Sequence, residues 1–488
     1  MAQKNLKHKA AVSVMWTAIQ KYTIMGVQFV SGIILARLLT PYDYGCIGML
    51  AIFMLMAESF VDSGFGSALI QKKNPTQEDY STIFYWNIGV SLLMYFILFF
   101  SAPAIARFYN IPILCDVLRV EGLVVIIYAL NIIQANQLRK RFQFKTLSIV
   151  NIISSVFALG VTIFMAYNGY GVWALVTQQL VHAVIPCLIY WLVIRWRPSL
   201  VFSWKSFKEL FSFGIYLFFT QLVNRFGQQL QGLLIGKMYS PVTMGYYSKA
   251  NSTERLASNS ISHIMTQVTF PLYSESQDDH DALGNMIKRL TMTLSYITFP
   301  LLFILLLLAK PIFILLYSER WLQSVPYFQV LCIAGLAFCL VSVNTQSVNA
   351  IGKSRLMFYW TLIRRTIGLG LVVGGLFLFG MKGLLVGVVI SEWFSYIVNV
   401  FIVSKHIGYK WWRQLLDLFP ILTVSILASV MSYLTGMLLN LSLYYDALVK
   451  LVVFALIYLG WSFLFKPEAF NYCKTIIEPF KAKLKRKK

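Results

Sequence analysis

The sequence predicts an all-α polytopic membrane protein of about fourteen transmembrane helices, arranged as two pseudo-symmetric six-helix lobes followed by two further helices. Three observations predict it. Apolar residues make up 58% of the 488 and charged residues only 12%, with a mean hydropathy of +0.68, far outside the soluble range. The apolar residues gather in runs of about 20, the length that crosses a hydrocarbon core of about 30 Å as a helix rising about 1.5 Å per residue. Finally, GIILARLLTPYDYG at 32–45 returns as GLLIGKMYSPVTMG at 232–245, so one unit is written twice.

In chain order, the first lobe takes the runs near 11–38, 44–69, 81–106, 113–138, 146–168 and 171–194. The second takes those near 211–238, 244–272, 288–309, 325–350, 357–379 and 383–403, and a final pair lies near 418–440 and 447–465. The runs at 244–272 and 325–350 are polar enough for hydropathy alone to miss them. This divides the chain into an N-lobe over 1–200, a C-lobe over 201–410, a helix pair over 411–465 and a basic tail over 466–488. The first run follows Lys4, Lys7 and Lys9, as in a signal peptide. Its apolar stretch is too long for a signal core and no small-residue cleavage pattern follows, so it is expected to stay as the first helix.

Each copy of the repeat ends one helix and starts the next. Thr40 or Ser240 can cap the second helix, and Pro41 or Pro241 suits its first turn, where no amide donor is missed. Six crossings per lobe is an even number, so both lobes enter from the same side. Parallel repeats of this kind are related by an axis along the membrane normal, with the substrate path between them. A weaker echo joins GYGVWALV at 169–176 to GMKGLLVG at 380–387.

The net charge of +23 is a membrane feature, because of where it falls. With the N-terminus inside, alternate loops on that side hold 28 Lys and Arg, including Lys72–Lys73, the Arg139–Lys145 cluster, Arg195, Arg197 and the tail KAKLKRKK. The opposite connections hold 6: Arg37, Arg107, Lys237, Lys310, Arg320 and Lys382. By the positive-inside rule both termini are cytoplasmic, nucleic acid is not a partner, and the tail is read as a lipid-surface anchor.

Ionisable residues inside membrane helices are costly and tend to face a wet cavity. Those here are Lys21, Glu58, Asp62, Arg119 and Glu121 in the first lobe, then Arg225, Lys249, Glu254, Arg255, Arg364 and Arg365 in the second. A path lined by Lys21, Arg119, Arg225, Lys249, Arg255, Arg364 and Arg365 suits an anionic cargo, above all a phosphate, which guanidinium grips as a fork. Other readings stand beside it. Arg364 and Arg365 can snorkel from a helix end to lipid phosphates, and Glu254 and Arg255 can pair for structure alone. Glu58 and Asp62, one turn apart on one face, and Glu254 can carry a coupling H+ or Na+; Glu58 and Asp62 can equally neutralise Lys21. Arg37 and Lys237 mark the outer hairpins as an outer gate, or serve as interface snorkels.

Other chemistry is not encoded. The six cysteines and five histidines have no paired or ligand spacing, so neither a disulfide frame nor a metal site is expected. No nucleotide-binding GxxxxGK[ST] loop occurs, nor any HExxH, DxD or GxSxG motif, and no other cofactor is indicated. Most of the 12 tryptophans and 27 tyrosines fit interface belts; Tyr246 and Tyr247 can also stack on sugars.

FVDSGFGSALIQKKNPTQED at 60–79, LRKRFQFKTLSIVNIIS at 138–154 and GYGVWALVTQQLV at 169–181 resemble the polysaccharide-transporter branch of the multidrug/oligosaccharidyl-lipid/polysaccharide (MOP) flippase superfamily. So do LLIGKMYSPVTMGYYSKA at 233–250, QVTFPLYSESQDD at 267–279 and NAIGKSRLMFYWTLIRR at 349–365, nearest the Wzx type of O-antigen, colanic-acid and capsule exporters. The resemblance implies two lobes in a V and alternating access. It implies a cargo of undecaprenyl-diphosphate-linked oligosaccharide, turned across a bacterial inner membrane by a transporter rather than an enzyme. Membrane lipids and the polymerase or ligase machinery of polysaccharide assembly are the implied partners. One departure is Gln231, where many relatives carry Asp. A peptidoglycan-precursor flippase, a drug exporter of the same superfamily, and a membrane glycan ligase or polymerase are the alternatives. The last would need a large outer domain that the short loops do not supply.

Overall fold

Helix starts in this chain are set by short polar caps at the ends of apolar runs. Thr40 N donates to Asp43 Oδ2 at 2.8 Å while Thr40 Oγ1 accepts from Asp43 N at 3.4 Å, with Pro41 as the first helical residue. Thr76 and Asp79 form the same reciprocal box, at 2.8 and 3.2 Å. Ser240 Oγ accepts from Thr243 N at 3.1 Å and Pro241 opens the helix that follows. Both copies of the repeated turn are therefore capped as their sequence predicts.

The computed structural model describes residues 2–275 and 279–474; the KAKLKRKK tail lies outside them. Among the described residues there is no strand. The helices are α1 (Ala2–Leu38), α2 (Pro41–Asp62), α3 (Phe65–Gln71), α4 (Gln77–Tyr109), α5 (Ile113–Glu121), α6 (Leu123–Lys140), α7 (Phe144–Tyr167) and α8 (Val172–Val193). Then come α9 (Trp204–Met238), α10 (Pro241–Glu275), α11 (His280–Leu307), α12 (Ala309–Tyr317), α13 (Val325–Ala350), α14 (Ser354–Ile407), α15 (Trp411–Leu439) and α16 (Leu443–Phe465). A 3-10 turn over Glu319–Ser324 precedes α13.

Ten of these segments are long and apolar enough to cross a membrane. That measure differs from the expected fourteen at two kinds of place. It passes over α6, α9 and α10, whose polar and charged side chains lower their hydropathy. It also takes α14 as one span, although the chain leaves helical geometry at Phe379 (φ −131°) and Gly380 (φ 62°). Beyond that break α14 folds back on itself. An ideal Cβ on Gly375 would lie 2.3 Å from Gly383 O, one on Gly383 2.0 Å from Gly375 O, and one on Gly387 2.6 Å from Leu371 O. These pairings march outward from the break, as in an antiparallel helical hairpin. The weaker echo in the sequence marks equivalent places: α8 starts after positive-φ Gly169 and Gly171, and the second arm of α14 starts at positive-φ Gly380.

Smaller departures from the sequence expectation have local causes. The run at 44–69 breaks at Ser63 (φ 43°) and Gly64 (φ 73°), separating α2 from α3. The run at 113–138 divides around Gly122 into α5 and α6. The connection between the runs at 288–309 and 325–350 holds the short apolar α12.

The chain forms two compact units, Met1–Ser248 and Lys249–Lys488. In the first, α1 packs on α7, α7 on α8, and α9 along α2, α3 and α4. Its core includes Phe65, Phe84, Ile133 and Phe207, edged by Trp86 and Trp196. In the second, α13 packs on α14, and α11 on α13 and α15. The side chains Ala428, Phe454 and Tyr458 join α15 to α16, and Tyr458 Oη donates to Tyr296 O at 2.9 Å. Lipid offers no hydrophobic drive for helix pairing, so buried small residues and hydroxyls do much of this packing.

Candidate functional site

The two copies of the repeated hairpin meet inside the first unit. An ideal Cβ on Gly45 would stand 1.8 Å from Pro241 O, and one on Gly245 would stand 1.8 Å from Pro41 O. No side chain fits at either place, so glycine is what lets the two helix starts touch. The seam continues along α2 and α9. Gly48 faces Ser248 and Met244, Gly236 faces Met49, and at the far end the Gly64 backbone meets Gly214. There Phe60 and Phe218 stack edge to face at 5.1 Å. Lys237 donates to Phe108 O at 2.5 Å and lies 4.3 Å from the Phe108 ring centroid, while Arg37 is exposed at the end of α1.

Midway along this seam lies an ion pair. Arg225 of α9 is 3.6 Å from Glu58 of α2 and donates to Leu55 O at 3.3 Å. The sequence had offered Lys21 as a partner for Glu58, but the structure gives Glu58 to Arg225. The Lys21 ammonium is buried with no hydrogen-bond partner among the described residues. Asp62, a turn beyond Glu58, flanks Gly66 together with Asn136. Arg119 turns to α4 instead, donating to Phe99 O at 3.4 Å with its guanidinium 4.4 Å from the Phe99 ring centroid. Glu121 is 1% exposed; one oxygen accepts from Gln179 at 2.6 Å and the other has no partner among the described residues.

At the opposite end from the repeated turns, Lys72 reaches Asp79 at 3.1 Å and Glu209 at 2.9 Å, tying the α3–α4 connection to α9. Burial works against the charge on Lys72, but the hydrogen bonds to Glu209 and Asp79 outweigh it and its pKa is raised above 10.5. The sequence reading counted Lys72 only as a loop charge; its partner Glu209 is 137 residues away, and no local pattern announces the pairing.

In the second unit, Lys249 is 3% exposed with its ammonium 4.0 Å from the Tyr317 ring centroid and 5.7 Å from that of Trp321. Glu254 is 2% exposed and 3.8 Å from Arg255. Its Oε1 lacks a hydrogen-bond partner among the described residues and occupies space that only a glycine at 335 leaves open. The Arg255 guanidinium lies 4.4 Å from the Phe338 ring centroid. Arg364 is buried and donates to Thr361 Oγ1 at 3.4 Å; Arg364 Nη1 and Arg365 Nε are buried without partners among the described residues. Gln231, the position of departure from the family pattern, accepts a hydrogen bond from Tyr247, so that hydroxyl is engaged within the protein. Among the described residues no group of His, Cys, Asp and Glu is placed to hold a metal ion.

What the arrangement offers is a set of ionisable groups held within the helices, with Arg119 against a ring and a backbone carbonyl and Lys249 and Arg255 against rings. Such groups can meet a charged cargo or exchange a proton or cation.

The chain is 29% identical over 347 residues to the teichuronic acid biosynthesis protein TuaB of Bacillus subtilis (strain 168), covering 71% of this chain and 72% of that one. It is 24% identical over 396 residues to the succinoglycan biosynthesis transport protein ExoT of Rhizobium meliloti (strain 1021), covering 81% and 78%. Its fold is similar to that of a solved structure of lipid II flippase MurJ in an inward closed conformation, with a TM-score of 0.74, 16% identity, and coverage of 93% of this chain and 98% of that one. The profile of the polysaccharide biosynthesis protein family matches residues 34–326, more than half of the 488, and the chain belongs to that family.

Proposed function

We propose that this protein is a flippase that turns a lipid-linked oligosaccharide, carried on undecaprenyl diphosphate, from the inner to the outer leaflet of a bacterial cytoplasmic membrane. It is a transporter, not an enzyme, and its product feeds the assembly of O-antigen, exopolysaccharide or capsule. The observation that carries the reading is the family match over residues 34–326, on a chain whose membrane-length helices hold buried cations. ExoT, named as a transport protein, supports the same assignment. A hydroxyl-rich glycan cannot cross hydrocarbon unaided, because each unsatisfied polar group costs several kcal/mol (about 2–7).

In this reading residues 1–200 and 201–410 act as the two lobes of an alternating-access cycle, with 411–465 appended and both termini in the cytoplasm. Lys21, Arg119, Arg225, Lys249, Arg255, Arg364 and Arg365 serve the diphosphate and acidic sugars. Glu58, Asp62 and Glu254 serve coupling to H+ or Na+. The hairpins ending at Arg37 and Lys237 form the outer gate, with Gly45 and Gly245 as its contact points. The polymerase or ligase of the same assembly line is the expected partner at the outer face.

A leaflet assay tests this. Purified protein is placed in proteoliposomes with labelled undecaprenyl-diphosphate oligosaccharide, and exposure of the label to an external glycosidase is followed against empty liposomes. Faster exposure, lost in Arg225→Glu, is expected. Exposure of lipid II but of no longer glycan would move the assignment to peptidoglycan precursor. Exposure of neither, with and without an ion gradient, would reject the flippase assignment.

A further inference from the structure

A cavity of about 490 Å³ lies where α6 ends, α7 begins and α8 ends, away from the α2–α9 seam. Its polar wall is Gln137, Arg141, Gln143, Lys145, Thr146 and Arg195; the rest is apolar and no carboxylate lines it. Among the described residues none of the three cations is in an ion pair. The Lys145 ammonium lies 5.6 Å from the Trp16 ring centroid. Three like charges facing one space repel each other unless an anion joins them.

A second, independent feature is Gln137. It is 2% exposed, yet neither its Nε2 nor its Oε1 has a hydrogen-bond partner among the described residues. A buried amide with nothing to bond costs about 1–3 kcal/mol, and this one stands in the wall of the cavity. Between two other wall residues, Phe142 adopts φ 57°, a conformation few bulky residues accept, and its side chain is half exposed. From the same place the outer faces of α7 and α8 run on as open apolar surface: Ile149, Ile153, Leu188, Leu192 and Val193 are all exposed.

The geometry points to a built site for the phosphate headgroup of a membrane lipid. Arg141, Lys145 and Arg195 bind the phosphate oxygens, the Gln137 amide completes the wall, and the lipid chains lie along α7 and α8. Positive charge at the border of an apolar band is where a lipid phosphate sits, whereas a soluble anion has no use for the exposed apolar faces. The inference does not depend on what cargo the protein carries.

Native mass spectrometry of the intact protein, titrated with phosphatidylglycerol, undecaprenyl diphosphate, phosphatidylcholine and inorganic pyrophosphate, tests it. Wild type is expected to retain an anionic phosphate lipid in preference to phosphatidylcholine. Whether phosphatidylglycerol or the diphosphate lipid binds tighter tells a structural lipid from a substrate headgroup, and either supports the site. Arg141→Gln/Lys145→Gln/Arg195→Gln should weaken that binding about tenfold and Gln137→Leu about threefold. A control of equal charge, Lys205→Gln/Lys208→Gln/Lys405→Gln, should stay within about twofold. Equal loss in the control would reduce the effect to general surface charge and overturn the proposal, as would pyrophosphate binding as tightly as lipid. Should the triple variant fail to fold, Arg195→Gln at its exposed position is read alone, and unchanged binding there also overturns it.

Discussion

Arg225 and Glu58 are 32% and 29% exposed at 3.6 Å, a pair neither fully wet nor fully dry. Losing one partner strands the other, and between the surface and buried limits the cost is about 1–2 kcal/mol. Arg225→Gln and Glu58→Gln should each lower the unfolding temperature in detergent, and the double variant should recover most of the loss. If the pair also serves the cargo, the stable double variant should still fail to export glycan in cells lacking the native protein. An additive double variant would show that the two side chains do not act on each other. At this scale the sequence was informative about which residues matter but not about whom they meet. Lys21, Glu58 and Arg225 stand out as ionisable groups in apolar runs, but the Arg225–Glu58 contact spans 167 positions and no local spacing encodes it. Glu121, read only as one more charge in a run, proved to be among the most buried carboxylates, and Gln179, three helices later in α8, donates to one of its oxygens.

Among the elements, the repeated hairpins give the sharpest expectation. Placing a methyl 1.8 Å from a backbone carbonyl oxygen forces the helix starts apart, so Gly45→Ala and Gly245→Ala should each cost about 1–3 kcal/mol. Gly89→Ala and Gly160→Ala, where nothing lies within 4 Å, should be neutral or stabilising by up to about 1 kcal/mol. Thermal unfolding of the four variants compares them directly; equal effects would mean that the hairpin contact holds nothing together. The capped TP and SP turns were legible because capping is local chemistry. Their contact was not, because sequence shows a glycine without showing what passes over it. In the same way, α12 was hidden in what read as a connection, and the polarity that kept α6, α9 and α10 below a hydropathy threshold comes partly from side chains whose partners lie on other helices.

For the molecule as a whole, the charge bias makes a topological prediction. In a cysteine-free background, Lys382→Cys should react with a membrane-impermeant thiol reagent on intact cells, and Lys208→Cys only after permeabilisation. The reverse pattern would invert the proposed orientation. Helical class and membrane residence were legible at this scale from composition and run length. The compact division after Ser248 was not, since it follows α9 and the start of α10, which carry the second hairpin onto α2. That hairpin contact has a further consequence. Residue 45 meets 241 while 245 meets 41, the self-matching pattern of two identical subunits about a two-fold axis. A shorter ancestor bearing a single hairpin would already have possessed the complete surface for joining its own twin side by side. Tethering two such copies in one chain would need no new contact surface at this hairpin.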